Sequence, residues 1–132
     1  MEKKKKKIDP IVAIVDDSDH SRRHIISILE KHNIQIAGQA SSAEEGLALS
    51  GTTSANIFLI DLIMPSRSGL ELSKIISEKG MGVYIIMMSS VNLESIVIES
   101  ISAGALDFLE KPFTEKKLMR SIQKIHQEMT RE

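Results

Sequence analysis

Four short apolar segments of this chain each end beside residues that phosphate chemistry uses. In chain order they are Ile11–Val15 before Asp16 and Asp17, Ile57–Ile60 before Asp61, Val83–Met88 before Ser89, and Ala105–Leu109 before Glu110 and Lys111. Apolar runs of this length, separated by helix-like segments, are typical of buried strands in a parallel sheet. Because ligands of open α/β sheets bind beyond the carboxyl ends of the strands, we expect these polar groups to meet at one edge.

Helix-like segments alternate with the apolar runs. The first is predicted over residues 19–33, with Ser18 or Asp19 as its cap. A second helix is predicted to end near Gly51, a third to cover residues 69–79, a fourth to begin at Asn92 and a fifth to follow the cap Thr114. Residues 34–39 are predicted to form a short strand. The repeated βα unit predicts an α/β fold, with a five-stranded parallel sheet and helices on both faces. At 132 residues, the chain is expected to form a single domain over residues 8–132.

Charge is distributed unevenly along the chain. The net charge is −1, but Lys3–Lys7 supply five of the 17 basic residues. With that run and Glu2 set aside, residues 8–132 carry 12 basic and 17 acidic residues, so direct binding of nucleic acid is not expected. Residues 1–7 are predicted to be a disordered, solvated tail. No apolar stretch approaches the roughly 18 residues of a membrane span, and the absence of cysteine agrees with a cytoplasmic location.

Three carboxylates are expected at the predicted sheet edge. Asp16, Asp17 and Asp61 would repel one another and raise one another's pKa unless a cation lay between them. Mg²⁺ is a hard ion that prefers oxygen ligands and commonly binds through one or two carboxylates, water and phosphate. Each acid alone also fits a helix cap or a loop. Their joint placement at one edge instead favours a Mg²⁺ site.

Lys111 and Ser89 add two further polar groups at the same edge. A lysine ammonium group binds phosphate as a point charge, and Lys111 lies one residue beyond a strand and directly before Pro112. The bond before a proline can be cis, most often in a tight turn. Ser89 fits a turn residue as well as it fits a hydrogen-bond donor to a phosphoryl oxygen.

Other chemical motifs are weak in this sequence. His20 and His24 stand four residues apart, a spacing that can bind metal, but an exposed helix face explains both. The glycines form neither a GxxxxGK[ST] nor a GxGxxG pattern, which argues against nucleotide binding. A GxSxG nucleophile motif is likewise missing.

The motifs together resemble the receiver domain of bacterial two-component response regulators, the CheY-like superfamily. The matching stretches are IVAIVDDS at 11–18, IFLIDLIMPSRSGLEL at 57–72, IIMMSS at 85–90 and GALDFLEKPF at 104–113. The resemblance spans about residues 8–128 and implies a flavodoxin-like, doubly wound sheet of strand order 2-1-3-4-5. It also implies a phosphorylation switch.

The resemblance assigns a role to each residue of the predicted edge. Asp61 would accept a phosphoryl group from a sensor histidine kinase or a histidine phosphotransfer protein. Asp17, Asp61 and the backbone carbonyl of Ile63 would bind Mg²⁺, and Asp16 would act mainly through a water on the ion. Lys111 would pair with the phosphoryl group.

The resemblance also implies how phosphorylation would be transmitted. Ser89 would move to hydrogen-bond a phosphoryl oxygen, Phe108 would turn inward, and Pro112 would follow a cis peptide bond. A downstream effector protein would then bind the face formed by helix 4, strand 5 and helix 5, which would also serve a homodimer. Ile98 lies off the apolar stripe of helix 4 formed by Leu93, Val97 and Ile101, so we expect it to be exposed there.

Two apolar residues predict a long-lived phosphorylated state. Ile63 and Val91 occupy positions that flank the phosphoryl group in this family, and neither side chain can orient a water by hydrogen bonding. We therefore expect slower loss of phosphate than in receivers with polar residues at these positions.

Several interpretations of the chain's role remain open. The leading one is a stand-alone cytoplasmic receiver that binds other proteins and catalyses only its own phosphorylation and dephosphorylation. The alternative is the receiver domain of a larger response regulator with a DNA-binding or enzymatic output domain. A Mg²⁺-dependent phosphohydrolase would need a second acid–base carboxylate and a capping segment, for which there is little room. A degenerate receiver is disfavoured because every expected position is filled.

Overall fold

Strands and helices alternate along the chain as the sequence predicts. The computed structural model describes residues 8–65, 68–80 and 82–130, so the predicted tail lies outside the described residues. Five strands and five helices lie within these ranges. They are β1 (Ile11–Val15), α1 (Asp19–Lys31), β2 (Gln35–Ala40), α2 (Ala43–Thr52), β3 (Ile57–Asp61), α3 (Gly69–Glu78), β4 (Tyr84–Ser89), α4 (Glu94–Ser102), β5 (Ala105–Glu110) and α5 (Glu115–Met129).

The five strands form one parallel sheet with the order β2-β1-β3-β4-β5. This confirms the predicted doubly wound, flavodoxin-like fold. The register places Val15 opposite Ile60, Met88 opposite Asp61, and Ser89 opposite Glu110. The carboxyl ends of β1, β3, β4 and β5 therefore lie at the same edge of the sheet.

Each face of the sheet has its own hydrophobic core. Because strand side chains alternate between faces, Val12 and Ile14 join one core and Ala13 and Val15 join the other. The first core packs against α1 and α5, and the second against α2, α3 and part of α4. The polar ends of the strands are thus held between two packed layers.

Four of the five helices begin at a hydroxyl cap. The side chains of Ser18, Ser42, Ser68 and Thr114 each accept a hydrogen bond from the backbone N–H three residues later. The start of α4 differs, because its cap residue Leu93 offers no side-chain acceptor. The predicted caps of α1 and α5 are therefore confirmed, whereas α4 has an uncapped first turn.

Two helix boundaries differ from the prediction by two residues. The first helix ends at Lys31 rather than at residue 33 because Asn33 adopts a left-handed φ of 57°. His32 is therefore exposed, and its Nε2 lies 2.9 Å from Oε2 of Glu115. The fourth helix begins at residue 94, two residues later than predicted. No helix within the described ranges is both long enough and apolar enough to cross a membrane.

Candidate functional site

The three predicted carboxylates come together at the end of the sheet. Asp16 and Asp17 follow β1, Asp61 ends β3, and one oxygen of each lies within 4.8 Å of the others. Asp16 is completely buried and Asp61 is 8% exposed, whereas Asp17 is open to solvent. The cluster therefore forms an acidic pocket with one accessible side, and carboxylate oxygens are the ligands that a hard divalent cation prefers.

Asp61 has a strongly raised pKa in this arrangement. Burial raises the pKa of its carboxyl from 3.8 to about 7, and the charges of Asp16 and Asp17 push in the same direction. The ammonium group of Lys111 and the backbone N–H of Ile63 oppose the rise in pKa. A neighbouring cation favours the ionised form of a carboxylate. A positive ion bound in the pocket would therefore stabilise the charged form of Asp61.

Asp16 is fixed by three hydrogen bonds to its side chain. Oδ1 accepts the backbone N–H of Ser18 at 2.9 Å, while Oδ2 accepts the hydroxyl of Ser21 at 2.7 Å and Nζ of Lys111 at 2.5 Å. The same Nζ lies 3.8 Å from Oδ2 of Asp61. Lys111 therefore bridges the buried carboxylates of β1 and β3, where it was predicted to meet the phosphoryl group.

Ser89 and Lys111 are joined through the backbone at the ends of β4 and β5. The N–H of Lys111 donates to the carbonyl of Ser89 at 2.8 Å, and the peptide bond to Pro112 is cis, as predicted. The buried hydroxyl of Ser89 accepts the N–H of Val91 at 3.0 Å. Phe108 is half-buried against the core on the α2–α3 side. The switching roles of Ser89 and Phe108 stay predictions.

The loop after Asp61 depends on a glycine. Gly69 donates its N–H to the carbonyl of Leu62 at 2.8 Å, and a Cβ at position 69 would lie 2.2 Å from the carbonyl oxygen of Asp61. Only glycine permits this close approach. Beside it, Ile63 is 57% exposed and Val91 is half-buried. The predicted contribution of the Ile63 carbonyl to metal binding stays a prediction.

His20 and His24 lie on the exposed face of α1, as expected. Together with Phe113 they line a shallow cleft that reaches Lys111. Neither belongs to the carboxylate cluster that could hold a metal ion. The structure therefore supports the exposed-face interpretation of this pair.

Sequence reasoning missed two residues that contact Asp16. One is Ser21, and the other is Arg22, whose guanidinium donates to the Asp16 carbonyl oxygen. A signal for Arg22 was available, because it shares the buried face of α1 with Ile25 and Leu29 at helical spacing. A charged side chain on the buried face of a helix needs a hydrogen-bond or ion-pair partner inside the fold.

Comparisons with known proteins agree with this geometry. Residues 12–123 match the family described as the response regulator receiver domain. The chemotaxis protein CheY of Thermotoga maritima is 31% identical over 114 residues, which cover 86% of this chain and 95% of the relative. A protein-glutamate methylesterase/protein-glutamine glutaminase of Idiomarina loihiensis is 35% identical over 79% of this chain, but only 28% of that relative is covered.

Structural similarity extends over nearly the whole chain. A CheY-like response regulator receiver domain protein from Methanospirillum hungatei JF-1 superimposes with a TM-score of 0.85 at 25% identity. The match covers 92% of this chain and 97% of the other. Sequence motifs, sheet order and relatives thus agree, and the chain belongs to the response regulator receiver domain family.

Proposed function

We propose that this receiver domain accepts a phosphoryl group on Asp61 from a histidine kinase or a histidine phosphotransfer protein. The observation that carries the proposal is the cluster of Asp16, Asp17 and Asp61, with carboxylate oxygens within 4.8 Å of one another. Nζ of Lys111 lies 2.5 Å from Asp16 and 3.8 Å from Asp61. An acceptor carboxylate, a cation and a metal-binding set therefore share one pocket, which phosphoryl transfer requires.

The proposed transfer moves one phosphoryl group between two side chains. A carboxylate oxygen of Asp61 forms a bond to phosphorus as the P–N bond of the donor phosphohistidine breaks, and the released imidazole takes up a proton from solvent. Lys111 pairs with the negative charge on the phosphoryl oxygens. The Ser89 hydroxyl, which accepts the Val91 N–H at 3.0 Å, remains able to donate its own proton to a phosphoryl oxygen.

Mg²⁺ is the proposed cofactor. Asp17, Asp61 and the Ile63 carbonyl would hold it, and Asp16 would contact it through water, since its oxygens already accept three hydrogen bonds. The ion would neutralise charge on the acceptor and on the phosphoryl oxygens. The donor set fits this ion because carboxylate oxygens dominate the pocket.

The proposed output surface comprises α4, β5 and α5. Ile98 is 56% exposed there, as predicted, but the expectation that Leu93 and Ile101 form a packed stripe is wrong, since they are 63% and 50% exposed. The helix instead turns Ile96 toward the core and buries Ser100. The resulting apolar surface supports binding of an effector protein, or of a second copy of the chain.

The finer role of the chain is also a proposal. We favour a stand-alone regulator, because this chain matches the CheY of Thermotoga maritima over 95% of the length of that relative. We also propose that it is cytoplasmic and transforms no independent substrate. A receiver within a larger regulator is the second candidate, and the low coverage of the methylesterase relative supports it. The length of the natural gene product would distinguish the two.

Phosphorylation with a small donor tests the proposal. Wild-type protein would be incubated with acetyl phosphate and Mg²⁺, and its intact mass would be measured by mass spectrometry. The Asp61→Asn variant and the exposed control Asp9→Asn would be treated in the same way. We expect one added phosphate on the wild type and on the control, and none on Asp61→Asn. An unmodified wild type would refute the proposal, as would a phosphorylated Asp61→Asn protein. Repeated turnover of small phosphate esters would favour a phosphohydrolase instead.

A further inference from the structure

Arg22 is a buried cation next to the acidic pocket. Its side chain is 11% exposed, and its guanidinium has three different acceptors. Nε donates to Oε1 of Gln39 at 2.8 Å, one terminal nitrogen donates to the backbone carbonyl of Asp16, and the other pairs with the carboxylate of Asp19. The three acceptors belong to β2, the end of β1 and the start of α1. A guanidinium stays charged when buried, so these partners are what make its burial tolerable.

We propose that Arg22 is a positioning residue for the metal site, which holds Asp17 in place through the peptide that joins Asp16 to Asp17. This inference rests on the proposed function, because it concerns the same Mg²⁺ site. The peptide unit is planar, so the carbonyl oxygen of Asp16 and the N and Cα of Asp17 move as one rigid group. A hydrogen bond to that oxygen therefore restrains the direction in which the Asp17 side chain leaves the backbone.

The neighbouring contacts explain why Asp17 needs such a restraint. The N–H of Asp16 donates to the carbonyl of Ala40 at 3.0 Å, and the carboxylate of Asp16 is held by Ser21 and Lys111. Asp17 follows immediately but is exposed to solvent, away from both cores. The bond from Arg22 fixes the link between a rigid residue and an exposed metal ligand.

The planar, forked shape of the Arg22 guanidinium is essential to this role. A guanidinium presents several N–H donors in one plane and can meet acceptors on three elements at once, whereas a lysine ammonium is a compact point charge. Arg23 provides a matched comparison from the next position. It is exposed, and its Nε lies 3.4 Å from the carbonyl of Asp19. Substituting Arg23 removes the same charge without freeing the Asp16 peptide.

If Arg22 acted only through its charge, its loss would tighten Mg²⁺ binding, whereas loss of its positioning role would weaken it. These opposite directions make the inference testable. A positive charge near the pocket opposes the binding of a second cation, so loss of charge alone would tighten Mg²⁺ binding. Loss of the restraint on Asp17 would weaken it. Outer-shell partners of metal ligands typically contribute about tenfold or more to metal affinity, so we expect the positioning effect to dominate.

Calorimetric titration of the unphosphorylated protein with Mg²⁺ tests the inference, with the unfolding temperature of each variant measured alongside. We expect roughly tenfold weaker binding for Arg22→Met and for Arg22→Lys, and wild-type affinity for Arg23→Met. Gln39→Ala removes only one exposed acceptor of Arg22, so it keeps the fold and should weaken Mg²⁺ binding several-fold. This variant decides the question if Arg22→Met does not fold.

The outcomes separate this inference from the proposed function. Unchanged or tighter Mg²⁺ binding by folded Arg22→Met would overturn the inference while leaving the Mg²⁺ site intact. Wild-type affinity in Arg22→Lys would also overturn it, because the planar guanidinium would then not be needed to hold Asp17. Wild-type affinity in Gln39→Ala would do the same if Arg22→Met is unfolded. A wild-type protein that does not bind Mg²⁺ would refute the proposed site, and this inference with it.

Discussion

Replacing Asp61 with asparagine is expected to stabilise the folded protein when no Mg²⁺ is present. Burial raises the pKa of this carboxyl from 3.8 to about 7, so the folded state binds its proton more tightly than the unfolded state does. Below pH 3.8 both states are protonated and the group has no effect on stability. Between 3.8 and about 7 the unfolded state ionises first, so the cost to folding grows with pH, and above 7 it is complete.

The size of the effect follows from the pKa of Asp61. The rise from 3.8 to about 7 corresponds to a ceiling of about 4 kcal/mol in the free energy of unfolding. This pKa already includes the attraction of Lys111, whose Nζ lies 3.8 Å from the carboxylate, but solvent at the open side of the pocket screens the charge of Asp61 and reduces the effect below that ceiling. We therefore expect Asp61→Asn to be about 2 kcal/mol more stable than the wild type near pH 8.

Urea unfolding followed by circular dichroism would measure this difference. The gap between Asp61→Asn and the wild type should be small at about pH 4 and should widen up to about pH 8. The exposed Asp9→Asn variant is the control and should show no such trend. Added Mg²⁺ should stabilise the wild type more than Asp61→Asn and so narrow the gap. A variant that is less stable at high pH, or a gap independent of pH, would refute the reasoning.

Three further predictions concern the loop after Asp61 and the contact between α1 and α5. Ile63→Asn should release phosphate several-fold faster than the wild type in a phosphate-release time course, because its amide can orient water; loss from the wild type within seconds would contradict this. Hydrogen bonding to His32 holds the pKa of Glu115 below 4.5, so His32→Ala should raise the midpoint in an NMR titration; an unchanged midpoint would oppose it. Gly69→Ala should lose about 2 kcal/mol or more in urea unfolding through overpacking. Gly51→Ala, whose Cβ meets nothing within 4 Å, should lose none, and equal losses would show the reasoning to be mistaken.

The sheet edge was predictable from sequence because strand ends carry their own signal. Apolar runs that stop at Asp16, Asp61 and Ser89 identify the strands, and a parallel sheet places their carboxyl ends together. The strand order came from the family resemblance, and the structure confirms it. The hydroxyl caps at Ser18 and Thr114 were likewise visible, since capping depends on residues close in sequence.

Features that depend on contacts between distant segments could not be predicted in the same way. The periodicity of α1 shows that Arg22 lies on the buried face, but only the packed fold shows that its partners are Gln39 and the Asp16 carbonyl. The exposure of Leu93 and Ile101 depends on how closely α4 packs against the sheet, which apolar spacing alone does not determine.

Chemical trapping of the phosphorylated protein tests the central claim most directly. Borohydride reduces an aspartyl phosphate to homoserine, so protein treated with acetyl phosphate and Mg²⁺, then reduced and digested, records the modified residue in its peptide masses. We predict homoserine at position 61, formed only when both the donor and Mg²⁺ are present. Homoserine at position 16 or 17 instead, or none at position 61 in protein that has gained a phosphate, would contradict Asp61 as the acceptor.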